Sequence, residues 1–298
     1  MNRHRWQILM AGCFLAGTLL PQPSTGAERA AAIVDAVQMP AWIERQGGLH
    51  ALAPGTVLGN QDRLITGPDA RVRVQLADGS VLGVGEDSEM RLNALGVREK
   101  QVFTAAIDVP LGSLRLRTGN SSSQHRQRAI NLRFGSITAG IRGTDLWGRA
   151  DADGDRVCLL EGVITIVHPD DQAQQLSEQS SCYLARKGAA PTLSASPAGE
   201  LSLWATHTDI QSGNGETTRN GRWVLELAIV DSESAALDLY DHAHAAGYAA
   251  RIMPQAATGG GYRYAVRIMK LATRSDAEAL AVRAARTLQL ASPRVSRH

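Results

Sequence analysis

The sequence predicts a multidomain chain, an all-β domain followed by a smaller α+β domain of element order β-α-β-β-α-β. Three observations predict it. Between Ala41 and Lys187, apolar residues alternate with polar ones and Gly or Asp turns recur, the period of half-buried strands. From Lys187 to Arg222 the composition shifts to Gly, Ala, Pro, Ser and Thr, and residues 211–221 (QSGNGETTRNG) carry no apolar periodicity. After Gly221, short strands alternate with two segments whose apolar residues follow helical spacing.

The chain has 298 residues, enough for about two domains. With 44% apolar and 20% charged residues it can bury real cores. Thirty-one basic and 29 acidic residues leave +2, so nucleic-acid binding gets no electrostatic support. Arg3, His4 and Arg5 precede an apolar run from Trp6 to Leu20, and Thr25-Gly26-Ala27 offers small residues for cleavage. Residues 1–27 are therefore read as a signal peptide. A lipoprotein would use Cys13, but Phe14 to Leu20 continues the apolar run beyond it. An uncleaved anchor is disfavoured because the run is shorter than ~20 residues. No later segment could cross a bilayer, so the mature chain is expected in the periplasm without a stable membrane span. Cys158 and Cys182 then remain as an even pair in an oxidising compartment, and a disulfide between them is expected, with two buried thiols as the alternative.

Residues 28–40 are Ala-rich and read as a disordered or helical lead-in. Strands are predicted at Ala41–Arg45, Leu52–Leu58 and Asp62–Gly67. Val72, Val74 and Leu76 then alternate with Arg71, Arg73 and Gln75, and Asp78-Gly79-Ser80 turns the chain into Val81-Leu82. Further strands fall near Met90–Leu92, at Val102–Val109 and at Gly112–Arg117; the Ser-rich Gly119–Arg128 is a loop. The stretch from Ile130 to Val167 holds two alternating strands, with Asp151-Ala152-Asp153-Gly154-Asp155 as a hairpin tip. Within it, Ile137-Thr138-Ala139, Arg142-Gly143-Thr144 and Glu161-Gly162-Val163 occur in the order and spacing of a FecR-type domain. Asp62-Arg63-Leu64-Ile65-Thr66-Gly67 resembles that family's first half. The resemblance covers residues 41–187. Gly143 and Gly162 are expected to hold backbone conformations that a Cβ would forbid, and Arg142 to pair within the β domain.

Residues 188–220 read as a linker, interrupted by Leu201, Leu203 and Trp204. In 221–298, Trp223–Ile229 is a strand and Ser232 opens a helix with Ala236, Tyr240, Ala243 and Ala246 on one stripe, ending at Gly247. Tyr248–Met253 and Tyr262–Ile268 are strands. Ser275-Asp276-Ala277-Glu278 reads as a capping box opening a second helix, and Pro293-Arg294-Val295 supplies the fourth strand. This is a split βαβ unit of ferredoxin or RNP-like type. Trp223-Val224-Leu225-Glu226-Leu227, Ala246-Gly247-Tyr248 and Tyr264-Ala265-Val266-Arg267-Ile268 resemble a SPOR domain, a family that binds peptidoglycan. Glu226, Ala228 and Met269-Lys270 depart from its usual residues. The resemblance implies that the sheet face away from the helices binds glycan strands, with Glu226, Ala228, Arg263, Ala265 and Arg267 lining it and Tyr262 as a stacking edge.

Residues for catalysis or metal binding are not found. The spacing of Asp151, Asp153 and Asp155 does not fit an EF-hand, and His242 and His244, two apart on a helix, point to different faces. Gly83-Val84-Gly85 lacks a following helix, and GxSxG and HExxH do not occur. The expectation is a non-enzymatic envelope protein without cofactor. It binds peptidoglycan glycan strands through the SPOR-like domain and presents the FecR-like domain to an envelope protein. The alternative is a periplasmic signalling component related to FecR-type sigma-factor regulators, although five residues before the apolar run are too few to grip a sigma factor. RNA binding, with Tyr262 and Tyr264 stacking on bases, conflicts with export.

Overall fold

A computed structural model of the chain describes residues 30–98, 102–119 and 127–298. Residues 1–27, expected to be a signal peptide, positions 120–126 of the polar loop and the Arg142 side chain lie outside the described residues.

The N-terminal region is a β structure. Its strands are β1 (Ala32–Gln38), β2 (Ala41–Arg45), β3 (Gly48–Ala51), β4 (Val57–Leu58), β5 (Arg63–Thr66), β6 (Arg71–Leu76), β7 (Val81–Val84) and β8 (Glu89–Arg98). There follow β9 (Val102–Arg117), β10 (Gln127–Phe134), β11 (Ile137–Ala150), β12 (Gly154–His168), β13 (Asp171–Leu176), β14 (Ser181–Arg186) and β15 (Thr192–Ala195). Alternation makes them strands: in β6, Val72, Val74 and Leu76 are buried while Arg73 and Gln75 are half-exposed. The β6–β7 turn uses Gly79 at φ +87°, and the buried Asp78 carboxylate accepts from Ser80 N and Oγ.

Strand β9 is the hub. Its first half pairs with β8 and, in parallel, with β10; its second half pairs with β7 and β11. The two strands expected at Val102–Val109 and Gly112–Arg117 are one, passing through Gly112 at φ +85°. Gly112 lies so close to Ser88 that no side chain would fit. The β11–β12 hairpin changes partner along its length: β11 pairs with β10 through Ile137–Ile141 and with β9 through Asp145–Ala150. A register shift between Ile141 and Thr144 separates the two halves. Gly162 sits opposite Thr144 at φ +94°, and a Cβ there would overlap the Gly143 carbonyl. Gly143 itself differs from expectation. A Cβ would meet nothing within 4 Å there, because the tight backbone belongs to its partner strand.

Two segments expected to be irregular are built into the sheet. The lead-in 28–40 contains β1, which pairs with β6 and β4, and Ala32, Val34, Ala36 and Val37 are fully buried. Its alanines fill a tight strand core rather than a helix face, a case of tertiary pairing overriding propensity. The supposed linker 188–220 contains β15 on β14, helix α1 (Ala198–Thr206) and strand β16 (Glu216–Thr218).

The C-terminal unit has β17 (Trp223–Val230), α2 (Glu233–Ala245), β18 (Ala250–Ala256), β19 (Tyr262–Leu271), α3 (Arg274–Thr287) and β20 (Arg294–Arg297). The antiparallel order is β18-β19-β17-β20, with both helices on one face. Ser232 caps α2 by accepting from Ala235 N, and Gly247 at φ +79° ends it. The capping box of α3 lies two residues before its expected start: Thr273 is the N-cap and Asp276 its reciprocal partner. Tyr248 precedes β18; its ring is buried, with the hydroxyl 3.2 Å from Thr287 Oγ1.

The two units share hydrogen-bonded strands. β16 pairs with β1 on one side, and its Thr217 stands opposite Leu271 at the end of β19. Thr217 Oγ1 also donates to Val37 O at 2.8 Å. The fully buried Asp276 accepts from Gly215 N and Glu216 N through Oδ1 and from Thr273 N through Oδ2. One carboxylate therefore closes α3 and holds β16. Nearby, Ala41 N donates to Gly247 O at 3.2 Å, Trp42 Nε1 donates to Ala245 O, and Pro40 and Trp42 pack on Gly247.

Replacing Gly162 by Ala is expected to cost about 1 kcal/mol or more, while Gly143→Ala stays within about 0.5 kcal/mol; urea midpoints compare them. Asp276→Ala removes a charged acceptor from three backbone N–H groups and is expected to cost about 3 kcal/mol, read by scanning calorimetry.

Candidate functional site

Strand register places each residue expected to line a groove, and the sheet face away from α2 and α3 carries Glu226, Arg263, Ala265 and Arg267. Arg251, Arg267, Glu226 and Arg294 stand opposite one another across β18, β19, β17 and β20. Residues directly opposite share a face, so this row brings three arginines and one glutamate to the same side of the sheet. Arg267 binds Glu226 Oε2 through Nε at 2.9 Å and Nη2 at 2.6 Å, with the side chains 25% and 13% exposed. The next row holds Met253, Ala265 and Ile229, and Arg267 Nη1 lies 4.0 Å from Met253 Sδ. Beyond it, Arg263 pairs with Gln255 and donates from Nε to Asp231 Oδ1 at 2.7 Å. The face is a row of arginines, Arg251 and Arg294 exposed and Arg267 half-buried on Glu226, beside a small apolar floor.

Three expected positions fall differently. Ala228 stands opposite Val266, on the side covered by the helices, because the register shifts between Glu226 and Ala228 and brings Ile229 opposite Ala265. Ala265 is fully buried and serves as floor, not contact. Tyr262 is 63% exposed but shares the strand parity of Tyr264 and Val266, so it lies at the rim of the helix side. The same parity keeps Tyr262 and Tyr264 off the open face, where stacked bases would need them. Sequence alternation missed Arg251, Met253 and Arg294, since which strands flank β17 and β19 is a matter of pairing.

A second constellation lies in the N-terminal region. Cys158 and Cys182 stand opposite each other on β12 and β14 and form a disulfide. Trp147 and Leu201 pack on it, with Trp204 and Leu184 alongside. Leu201 and Trp204, inside the supposed linker, thus dock α1 onto the β sheet. Trp204 stacks on Trp147 with ring centroids 5.4 Å apart, and the Arg156 guanidinium lies 4.7 Å from the Trp204 ring centre. These residues border a cleft of about 490 Å³ that also takes in the hairpin tip and Arg186. Burial pushes the Asp151 carboxyl up, but the Asp153 N–H and the Arg149 guanidinium outweigh it and hold it below its ordinary range. Among the described residues, no group of His, Cys, Asp and Glu side chains could hold a metal ion.

Residues 62–165 match the family described as FecR protein, and residues 220–293 match the SPOR domain. The chain carries a FecR domain and a SPOR domain. Both are non-catalytic families. Two crystal structures of a "putative anti-sigma factor" from Parabacteroides distasonis are similar in part. Each is 12% identical over 60% of this chain, covering 73% and 72% of the other chain with TM-scores of 0.39 and 0.40. No curated protein matches the chain. Among the described residues, no helix is long and apolar enough to cross a membrane.

Replacing Cys158 and Cys182 together by Ala opens a loop closed over 24 residues and is expected to cost about 3 kcal/mol. Proteolysis in α1 should accelerate, because Leu201 and Trp204 dock beside that bridge.

Proposed function

We propose that this is an exported, non-enzymatic cell-envelope protein that binds peptidoglycan glycan strands through its SPOR domain. The FecR domain is presented for interaction with an envelope protein. The observation that carries the reading is the uncovered sheet face of the SPOR domain, with Arg251, Arg267 and Arg294 in one row with Glu226. Such a face offers guanidinium donors to sugar hydroxyl and carbonyl oxygens along an extended chain. A disulfide between Cys158 and Cys182 supports a periplasmic location, where oxidised cysteines persist. The Arg267–Glu226 pair fits the groove role, because Glu226 holds the guanidinium in place and leaves its remaining donors to a ligand.

A second reading, a periplasmic signalling component related to FecR-type regulators of sigma factors, is favoured by the FecR match over residues 62–165. The two differ in where the protein resides. A fluorescent fusion of the full chain enriched at midcell fits wall binding, and a diffuse periplasmic signal fits signalling.

The full-length protein is expected to co-sediment with peptidoglycan sacculi. Arg263→Ala with Arg267→Ala should weaken sedimentation about tenfold or more without unfolding the domain, as charge-assisted bonds are lost. Sedimentation no greater than that of an unrelated periplasmic protein would remove the wall-binding function.

A further inference from the structure

The cleft between Trp147 and Arg186 has the makings of a second ligand site, in the FecR region and independent of the glycan reading of the SPOR sheet. It is bordered by the β11–β12 hairpin, by β14 and by α1, which the Cys158–Cys182 disulfide and its apolar cluster hold together. At about 490 Å³ it falls within the size range of small-ligand sites. Trp147, Leu184 and Trp204 give it apolar walls.

Its polar groups are unequally spent. Trp147 is only 3% exposed, and its Nε1 is buried without an acceptor in the protein. An unpaired buried donor of this kind costs about 1–3 kcal/mol. Of the carboxylates, Asp151 already takes Arg149 Nε and the Asp153 N–H, and Asp155 takes Ser136 N and Oγ. Arg156 rests on the Trp204 ring, and Arg186 makes no ion pair among the described residues. The uncommitted charged groups are therefore two guanidinium groups against one carboxylate, Asp153, and the His207 side chain also lines the cleft.

We propose that this cleft binds an acidic sugar residue, a pyranose ring carrying a carboxylate. The C–H face of the ring suits indole walls. The carboxylate suits Arg186 and Arg156 in a bidentate or shared arrangement. A ring hydroxyl can donate to Asp153. A neutral sugar would leave the excess of guanidinium donors unmatched, and a simple carboxylate would leave the apolar walls wet.

The test uses the full chain, labelled with nitrogen-15, and follows the indole N–H resonance of Trp147, assigned with Trp147→Phe. Glucuronate and N-acetylmuramate are titrated as two sources of the same acidic-sugar chemistry, with N-acetylglucosamine and propionate as controls. A saturable shift of the Trp147 signal with an acidic sugar is expected. Affinity should be about tenfold or more lower for either control and for acidic sugar with Arg186→Ala, whose exposed side chain leaves the fold intact. A saturable response to only one acidic sugar names the source and supports the site. The proposal is overturned by an unshifted Trp147 signal with both acidic sugars. It is equally overturned if a control binds as well, or if Arg186→Ala binds undiminished.

Discussion

The arrangement of this protein depends on one buried carboxylate. Asp276 accepts from the backbone of Gly215 and Glu216 with one oxygen and from Thr273 N with the other. A charged group can be fully buried only if its lone pairs are met, and here backbone donors from two segments meet them. The result is that β16 is fixed against the start of α3 and can bridge β1 and β19. Arg283 reinforces this from α3 by gripping Asn214 Oδ1 and O. The FecR and SPOR domains are thus joined through a hydrogen-bonded strand, where composition alone reads as slack chain.

That coupling gives the open SPOR face a defined direction relative to the FecR domain. Gly247, which must be glycine to end α2, is also the surface against which Pro40 and Trp42 pack. The same residue therefore serves helix termination and contact between the units.

Net charge conceals the local chemistry of both sites. At +2 overall the chain looks neutral, yet antiparallel register gathers Arg251, Arg267 and Arg294 into one row across four strands. In the FecR region, an equal number of Arg and Asp side chains border the cleft, but hairpin and strand contacts use most of the carboxylates. Which charges remain available is decided by hydrogen bonding, not by counting residues.

Side-chain periodicity made much of the fold legible. Alternation in Val72, Val74 and Leu76, the Asp78-Gly79-Ser80 turn and the stripe of Ala236 and Ala243 all follow from local geometry that the residues themselves impose. The cysteine pair was legible too, because only two lie beyond residue 27. Register was not. A shift at Leu227 turned Ala228 to the helix side, and a shift near Gly143 moved the strained backbone to Gly162. Nor could composition show that 28–40 and 188–220 supply strands and a helix, since Ala, Ser and Thr gain order there only from partners distant in the chain. The sequence by itself determined which faces are apolar and where the chain turns, since both are set by neighbouring residues. Tertiary structure alone decided which strands lie side by side, and so which arginines share a face, because that rests on hydrogen bonds between segments far apart in sequence.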